Sequence, residues 1–358
     1  MKTSFKRRLL LPRLVLWLML LLWLLPSGHA NVSVSLQPLP SLEGNLRNIA
    51  ALHFMEVSSL LLSAGQRRGT AVQVLNYNTG ARAFGFEERN GEVYALAYHA
   101  ASDMLATVGV DGYVRLWDPL LTTLRATLGD GRQSMEAVAI SPDGSLLASG
   151  QRNGDIRLWQ LPSGEFLRSI PAHGSAVRAL VFMPDNSTLV SVAGQSQIPL
   201  QWGDVAGNWT AVDNSLRVWD VTSGQVLQEY SEHPQGFTDV SISPNGEYIA
   251  ASDSAGQVLL WSFAFGVARL EQQLELHPAA IHALRIHPSG RFFVTASDDR
   301  SLKVVALETG RLLHSLSFPG AVRTLTFNHS GDLLAAAGRS AAVHLWRIED
   351  VVPLSAAP

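Results

Sequence analysis

Histidine is the side chain best able to hold a metal ion or move a proton near neutral pH, and this 358-residue chain has 11 of them. Their placement argues against such chemistry. His173, His233 and His277 each precede an apolar, strand-like run, and His99, His287 and His329 lie in the turn after one. His277, His282 and His287 are spaced by five, so a strand would point His282 to the face opposite the other two. These read as turn and network histidines rather than as a metal site. Adjacent carboxylates occur as Glu87-Glu88 and Asp298-Asp299, but neighbours on a strand point apart. With no cysteine, there is no thiol nucleophile, thiolate-held metal or disulfide. No nucleophile elbow or phosphate loop occurs either. The expectation is no catalytic residue, no metal and no cofactor. Two other sets invite a different chemistry: the arginines Arg67, Arg68, Arg152, Arg300 and Arg339, and the aromatics Tyr113, Trp202 and Trp209. Tryptophan and arginine lead the residue types that carry binding energy at interfaces. An arginine-studded rim with an aromatic flap would suit an anionic peptide or protein. The alternative for the flap is that Trp202 and Trp209 only cover a small core of their own.

The elements that must position these groups follow from a repeat. Val114-Arg115-Leu116-Trp117-Asp118 recurs as Ile156-Arg157-Leu158-Trp159, Leu216-Arg217-Val218-Trp219-Asp220, Val258-Leu259-Leu260-Trp261 and Val343-His344-Leu345-Trp346. Weaker copies end at Leu75 and Val305. From Leu75 to Trp346 the intervals are 42, 42, 60, 42, 44 and 41. The long one contains an 18-residue insertion, 195–212, which carries both Trp202 and Trp209. Each unit reads as an apolar strand, a turn such as Ser141-Pro142-Asp143-Gly144, a second strand, a polar turn, the tryptophan strand, a Ser-Gly or Thr-Gly turn and a fourth strand. Four short strands in a period near 42 predict a propeller blade, and no window has helical periodicity.

These units resemble the WD-repeat (WD40) family over residues 31–358. The resemblance implies an all-β, seven-bladed propeller of four-stranded antiparallel blades. It also implies a buried hydrogen-bond network of His, Ser or Thr, Asp and Trp in each blade. Blade four matches in full with His173, Ser191, Asp213 and Trp219. Blade two keeps Thr107, Asp111 and Trp117, and blade six keeps His277, Thr295 and Asp299. Blade five has Ala255 where the Asp belongs. In such rings the loops between second and third strands open on one face around the channel, and these loops carry the five arginines and the insertion. The segment Leu39–Asn45 aligns with Leu167–His173 and is expected to supply the outer strand of blade seven, with Val351–Leu354 as the alternative donor.

Residues 1–30 read as a signal peptide, or as a membrane anchor if uncleaved. Lys2, Lys6, Arg7, Arg8 and Arg13 precede or interrupt an apolar run that ends at Pro26, and Gly28-His29-Ala30 offers a cleavage site. Without these five basic residues the net charge falls from −3 to −8. That argues against general nucleic-acid binding. Export without disulfides favours a bacterial periplasmic, extracellular or envelope setting. The expected function is a monomeric, non-catalytic protein- or peptide-binding scaffold, meeting a membrane only through an uncleaved leader. The alternative is a propeller hydrolase or lyase acting on envelope sugar or peptide through the channel.

Overall fold

The computed structural model describes residues 33–43, 47–55, 59–66, 72–86, 92–118, 123–194, 213–231, 233–340 and 342–351. The leader-like residues 1–30, the insertion 195–212 with Trp202 and Trp209, and Arg67 and Arg68 lie outside them. Among the described residues no helix is long and apolar enough to cross a membrane.

Seven four-stranded antiparallel sheets follow one another along the chain. The inner strands are Arg47–Phe54, Val93–His99, Met135–Ile140, Ala176–Phe182, Phe237–Ile242, Ile281–Ile286 and Val322–Phe327. In blades one to six, three further strands pair outward in chain order. Blade seven departs from this. Its outer strand is Ser33–Glu43, which pairs antiparallel with Ala342–Val351 in the register Leu36 to Ile348 and Pro38 to Trp346. The N-terminal strand therefore closes the ring, as the alignment of Leu39–Asn45 predicts. Val351 instead ends the third strand of the same blade.

The core sits between blades rather than within them. One cluster joins Ala148, Ile156 and Leu158 of blade three to Leu180, Leu189 and Trp219 of blade four. Others join each remaining neighbouring pair. At the closure, Leu42, Leu333 and Leu345 of blade seven pack on Ile49, Leu52, Phe54 and Leu61 of blade one. A buried leucine or isoleucine contributes about 1.5–3 kcal/mol, so each blade face depends on the next blade. The tryptophan ruler lies in these seams: Trp159 and Trp261 are each 2% exposed. Val305 and Leu75, which replace tryptophan, are also fully buried.

Polar ties reinforce the blades. In blade four, His173 Nε2 lies 2.7 Å from Ser191 Oγ, and Trp219 Nε1 donates to the same oxygen at 2.8 Å. Asp213 Oδ2 accepts from Gly174 N at 2.8 Å, and Ser215 Oγ lies 3.1 Å from His173 Nδ1. In blade two, Trp117 Nε1 donates to Thr107 Oγ1, and Asp111 accepts from the Tyr113 amide and the Arg115 guanidinium. In blade six, His277 bridges Thr295 and Asp299 at 2.8 Å each. Blade five shows a substitution that the spacing hides. Its second strand has Ala251 where blade four has Ser191, and His233 bonds Asp253 at 2.9 Å, two residues further along the same face. The turn histidines tie neighbouring blades. His99 Nε2 lies 2.8 Å from the Pro142 carbonyl and His287 Nε2 2.8 Å from the Gly331 carbonyl. A Cβ on Gly331 would stand 2.4 Å from His287 Nε2, and Gly331 holds φ +81°, so this turn requires glycine on both counts.

Two predictions follow. Ser191→Ala removes the oxygen shared by His173 and Trp219 and leaves two buried groups unpaired, which should lower stability by about 1–3 kcal/mol in urea unfolding. Burial holds the His173 and His277 pKa values below 6.5, with Asp213 and Asp299 partly opposing. The unfolded chain therefore takes up protons first, so stability should be complete above pH 6.5 and fall as pH drops below it. His173→Asn should flatten that slope, read as urea midpoints across the acid range.

Candidate binding face at the channel mouth

Each inner strand carries a β-bulge near its start, where one residue is skipped in the pairing. The skipped residues are Glu136, Arg178, Thr238, His282 and Arg323 in blades three to seven, Tyr94 in blade two, and both Asn48 and Ala50 in blade one, which has two such shifts. A bulge breaks the two-residue alternation and re-aims the extra side chain. All eight line one central cavity of about 850 Å³. His282 thus faces the channel because of the bulge, a placement that plain strand alternation does not provide.

The mouth of this channel is charged. Arg178 pairs with Glu136, whose side chain is 2% exposed. Arg323 pairs with Asp298 at 3.1 Å, and His282 Nε2 lies 2.9 Å from the other oxygen of Asp298. Arg339 lines the same cavity. Burial pulls the His282 pKa down and Asp298 opposes it, while Arg323 and Arg178 add to the depression, so the imidazole is neutral at pH 7. Burial also lowers the Arg323 pKa; Asp298 opposes this, and Arg339 and Arg178 add to it. Arg323 thus feels the charge of Arg339 on its own blade and of Arg178 on blade four. Deeper in the channel, Asp239 pairs with Arg285 and accepts from Leu284 N at 2.8 Å. Burial, then the charge of Arg285, pushes the His53 pKa down to about 4.

The residues singled out from sequence divide. Arg339 and Arg300 are exposed on loops between second and third strands, and only Arg339 reaches the cavity. Arg300 sits at φ +68°, with its carbonyl accepting from Phe318 N at 2.8 Å. Arg152 is 6% exposed, with its amide bonded to the Ser134 carbonyl, so it is buried rather than set on an open rim. Tyr113 packs against the turn at Gly131, with the Arg115 guanidinium 5.8 Å from its ring centroid. It thus rests against the loop that leads from blade two to blade three. Arg178 and Tyr94 each lie 42 positions from Glu136, because the bulge follows the repeat. No group of three or more His, Asp or Glu among the described residues is arranged to hold a metal ion.

Comparisons with known proteins agree with the repeat. A family model described as "Nucleolar protein 10-like, N-terminal domain" matches residues 132–353. A model described as "WD domain, G-beta repeat" matches residues 84–118. Periodic tryptophan protein 2 of Arabidopsis thaliana is 25% identical over 230 residues, covering 64% of this chain and 22% of that protein. Striatin-4 of Homo sapiens is 23% identical over 288 residues, covering 72% and 36%. Small ribosomal subunit protein RACK1y of Oryza sativa subsp. japonica is 29% identical over 158 residues, covering 42% and 41%. The chain spans less than half the length of each of these relatives. They are eukaryotic, and the words nucleolar and ribosomal in these descriptions point away from an exported bacterial protein. That corrects the location read from the first thirty residues, a reading that rested on leader composition and the absence of cysteine. With well over half of its residues matched by one model, the chain belongs to the Nucleolar protein 10-like N-terminal β-propeller family and is built of WD repeats.

Proposed function

We propose that this propeller is a non-catalytic scaffold that binds a protein or peptide segment across the channel mouth. The observation that carries the reading is the ring of bulge residues, which turns side chains from every blade, most of them polar, toward a single opening. The loops of interest flank it. Gly194, the last described residue before the insertion, pairs with Ala176, two residues from Arg178. Gln66, just before Arg67 and Arg68, pairs with Arg47 at the same end of blade one. The excess of arginine at the mouth suits an acidic partner segment. A single copy acts, on protein rather than nucleic acid.

The second reading, a hydrolase or lyase, is favoured by one observation. A neutral imidazole 2.9 Å from a carboxylate, as in His282 and Asp298, is what a general base needs. Against it, the carboxylates Glu136, Asp239 and Asp298 at the channel are each paired with an arginine, which suits charge balance better than proton transfer. Turnover of a peptide or glycan that is lost in His282→Gln would favour the enzyme.

The scaffold is tested by partner recovery. Arg300→Glu with Arg339→Glu, and separately Trp202→Ala with Trp209→Ala, should each reduce recovery of specific proteins without moving the melting temperature. Phe166→Ser with Leu227→Ser on exposed outer strands should leave recovery intact. Unchanged recovery in both mouth variants would overturn the proposal.

A further inference from the structure

We infer that the hairpin tip of blade five is a lipid contact: Phe265, with Val267 beside it, enters the interfacial layer of a bilayer facing that end of the ring. Blades one, three, four and six turn from third to fourth strand through Thr79-Gly80, Ser163-Gly164, Ser223-Gly224 and Thr309-Gly310, where blade five has Phe265-Gly266. The run from Val258 to Ala268 carries no charged residue. Ala264 pairs with Val267, which leaves a two-residue turn. Both turn residues hold positive φ, +52° at Phe265 and +78° at Gly266. Such turns favour Asn-Gly or Asp-Gly, and a phenylalanine there strains its backbone. Phe265 is also fully exposed, and Val267 is 57% exposed. Strain and wet aromatic surface both raise the free energy of the tip, and no described residue of the ring covers it.

The third strand of blade four ends at Asp220, one residue past Trp219, whereas that of blade five continues three residues past Trp261, to Ala264. The two extra residues make the hairpin overhang by about 7 Å. A second ribbon overhangs the same end of the ring. There the third strand of blade seven continues five residues past Trp346, to Val351, which pairs with Ser33. Two overhangs on separate blades suit a broad, flat surface better than a pocket that encloses one of them. The second ribbon carries the exposed Glu349 and stays in water, so the apolar tip is the part that enters. The chain before Ser33 holds the apolar run that ends at Pro26, with Lys2, Lys6, Arg7 and Arg8 ahead of it. Ser33 lies seven positions after Pro26, a reach of at most about 25 Å. That run, set in a bilayer, therefore holds this end of the ring against it. Nothing in the contact requires export. Arg269 is exposed three residues behind Gly266, about 10 Å along the strand, where a guanidinium meets lipid phosphates while the tip lies below them. The third strand runs in the same direction as the first, so its end lies opposite the bulges at the first strand's start. The channel mouth thus points away from the lipid and stays open to its partner.

The test mixes the full chain with phosphatidylcholine–phosphatidylserine vesicles. The chain has no cysteine, so Phe265→Cys accepts a single fluorophore whose emission rises in apolar surroundings. That emission should rise on adding vesicles and be quenched by bromine-labelled acyl chains. The same label on Ser163→Cys, at the shorter turn of blade three on the same end, should not change. Nor should it on Arg132→Cys, at the opposite end with a side chain 82% exposed. Phe265→Asn supplies the residue that the turn favours, so the melting temperature should hold or rise while partition into vesicles falls about tenfold. Failure of the chain to associate with vesicles overturns the contact. So does a label at position 265 that stays dim while the chain associates, or a partition unchanged in Phe265→Asn. A label that brightens with a recovered protein but not with vesicles assigns a protein pocket instead and overturns the lipid. Phe265→Asn should leave partner recovery at the channel mouth unchanged, so the lipid contact and the scaffold stand or fall separately.

Discussion

Everything in this molecule depends on the fact that a four-stranded blade cannot bury its own faces. Each sheet is apolar on both sides, and its core lies in the seam shared with the next sheet. A blade is stable only between two neighbours, so an open row would leave two wet faces at its ends. Closing the ring removes both. The closing seam is as apolar as the others, with Leu42, Ile49, Leu61 and Leu345 in one cluster. The hydrogen-bond networks built on His173 and His277 refine this arrangement, and the turn histidines stitch adjacent blades at one end. Those networks vary between blades, while apolar seams recur at every junction.

The same closure creates the candidate site. Seven inner strands converge on one axis and cannot all present tidy alternation to it. The bulge in each strand resolves the crowding and turns side chains of every blade toward the opening. Here Arg178 pairs with Glu136, His282 and Arg323 lie beside Asp298, and the loop residue Arg339 lines the same cavity.

The architecture was legible because tryptophan and its apolar replacements recur at near-constant spacing, and because the insertion 195–212 alone breaks it. The N-terminal strand was legible because Leu39–Asn45 repeats the pattern of an outer strand, and Ser33–Glu43 takes that place. The mouth was harder to read. Strict alternation places His282 away from its true direction, since a skipped residue leaves no mark in composition. Arg152 illustrates a second limit: a loop arginine looks solvated in sequence, yet it is buried. Asp253 illustrates a third, because the acid that bonds His233 lies on the second strand rather than at the turn position that Ala255 occupies. Location was misread for a different reason. An apolar N-terminal run can be scored by composition, but the relatives named above are eukaryotic.

The closing strand has a consequence during synthesis. Gln37 and Glu349 meet side chain to side chain although 312 residues separate them. At roughly 5–20 residues added per second, the ribosome needs roughly 15–60 s to deliver the second after the first. For that interval the strand Ser33–Glu43 waits outside the exit tunnel with no partner, a β-edge open to other nascent chains. Pro38 and Pro40 lie within it. Each removes a backbone donor and makes the waiting segment a poor template for the wrong neighbour, while still permitting its antiparallel place beside Trp346 once the last blade emerges.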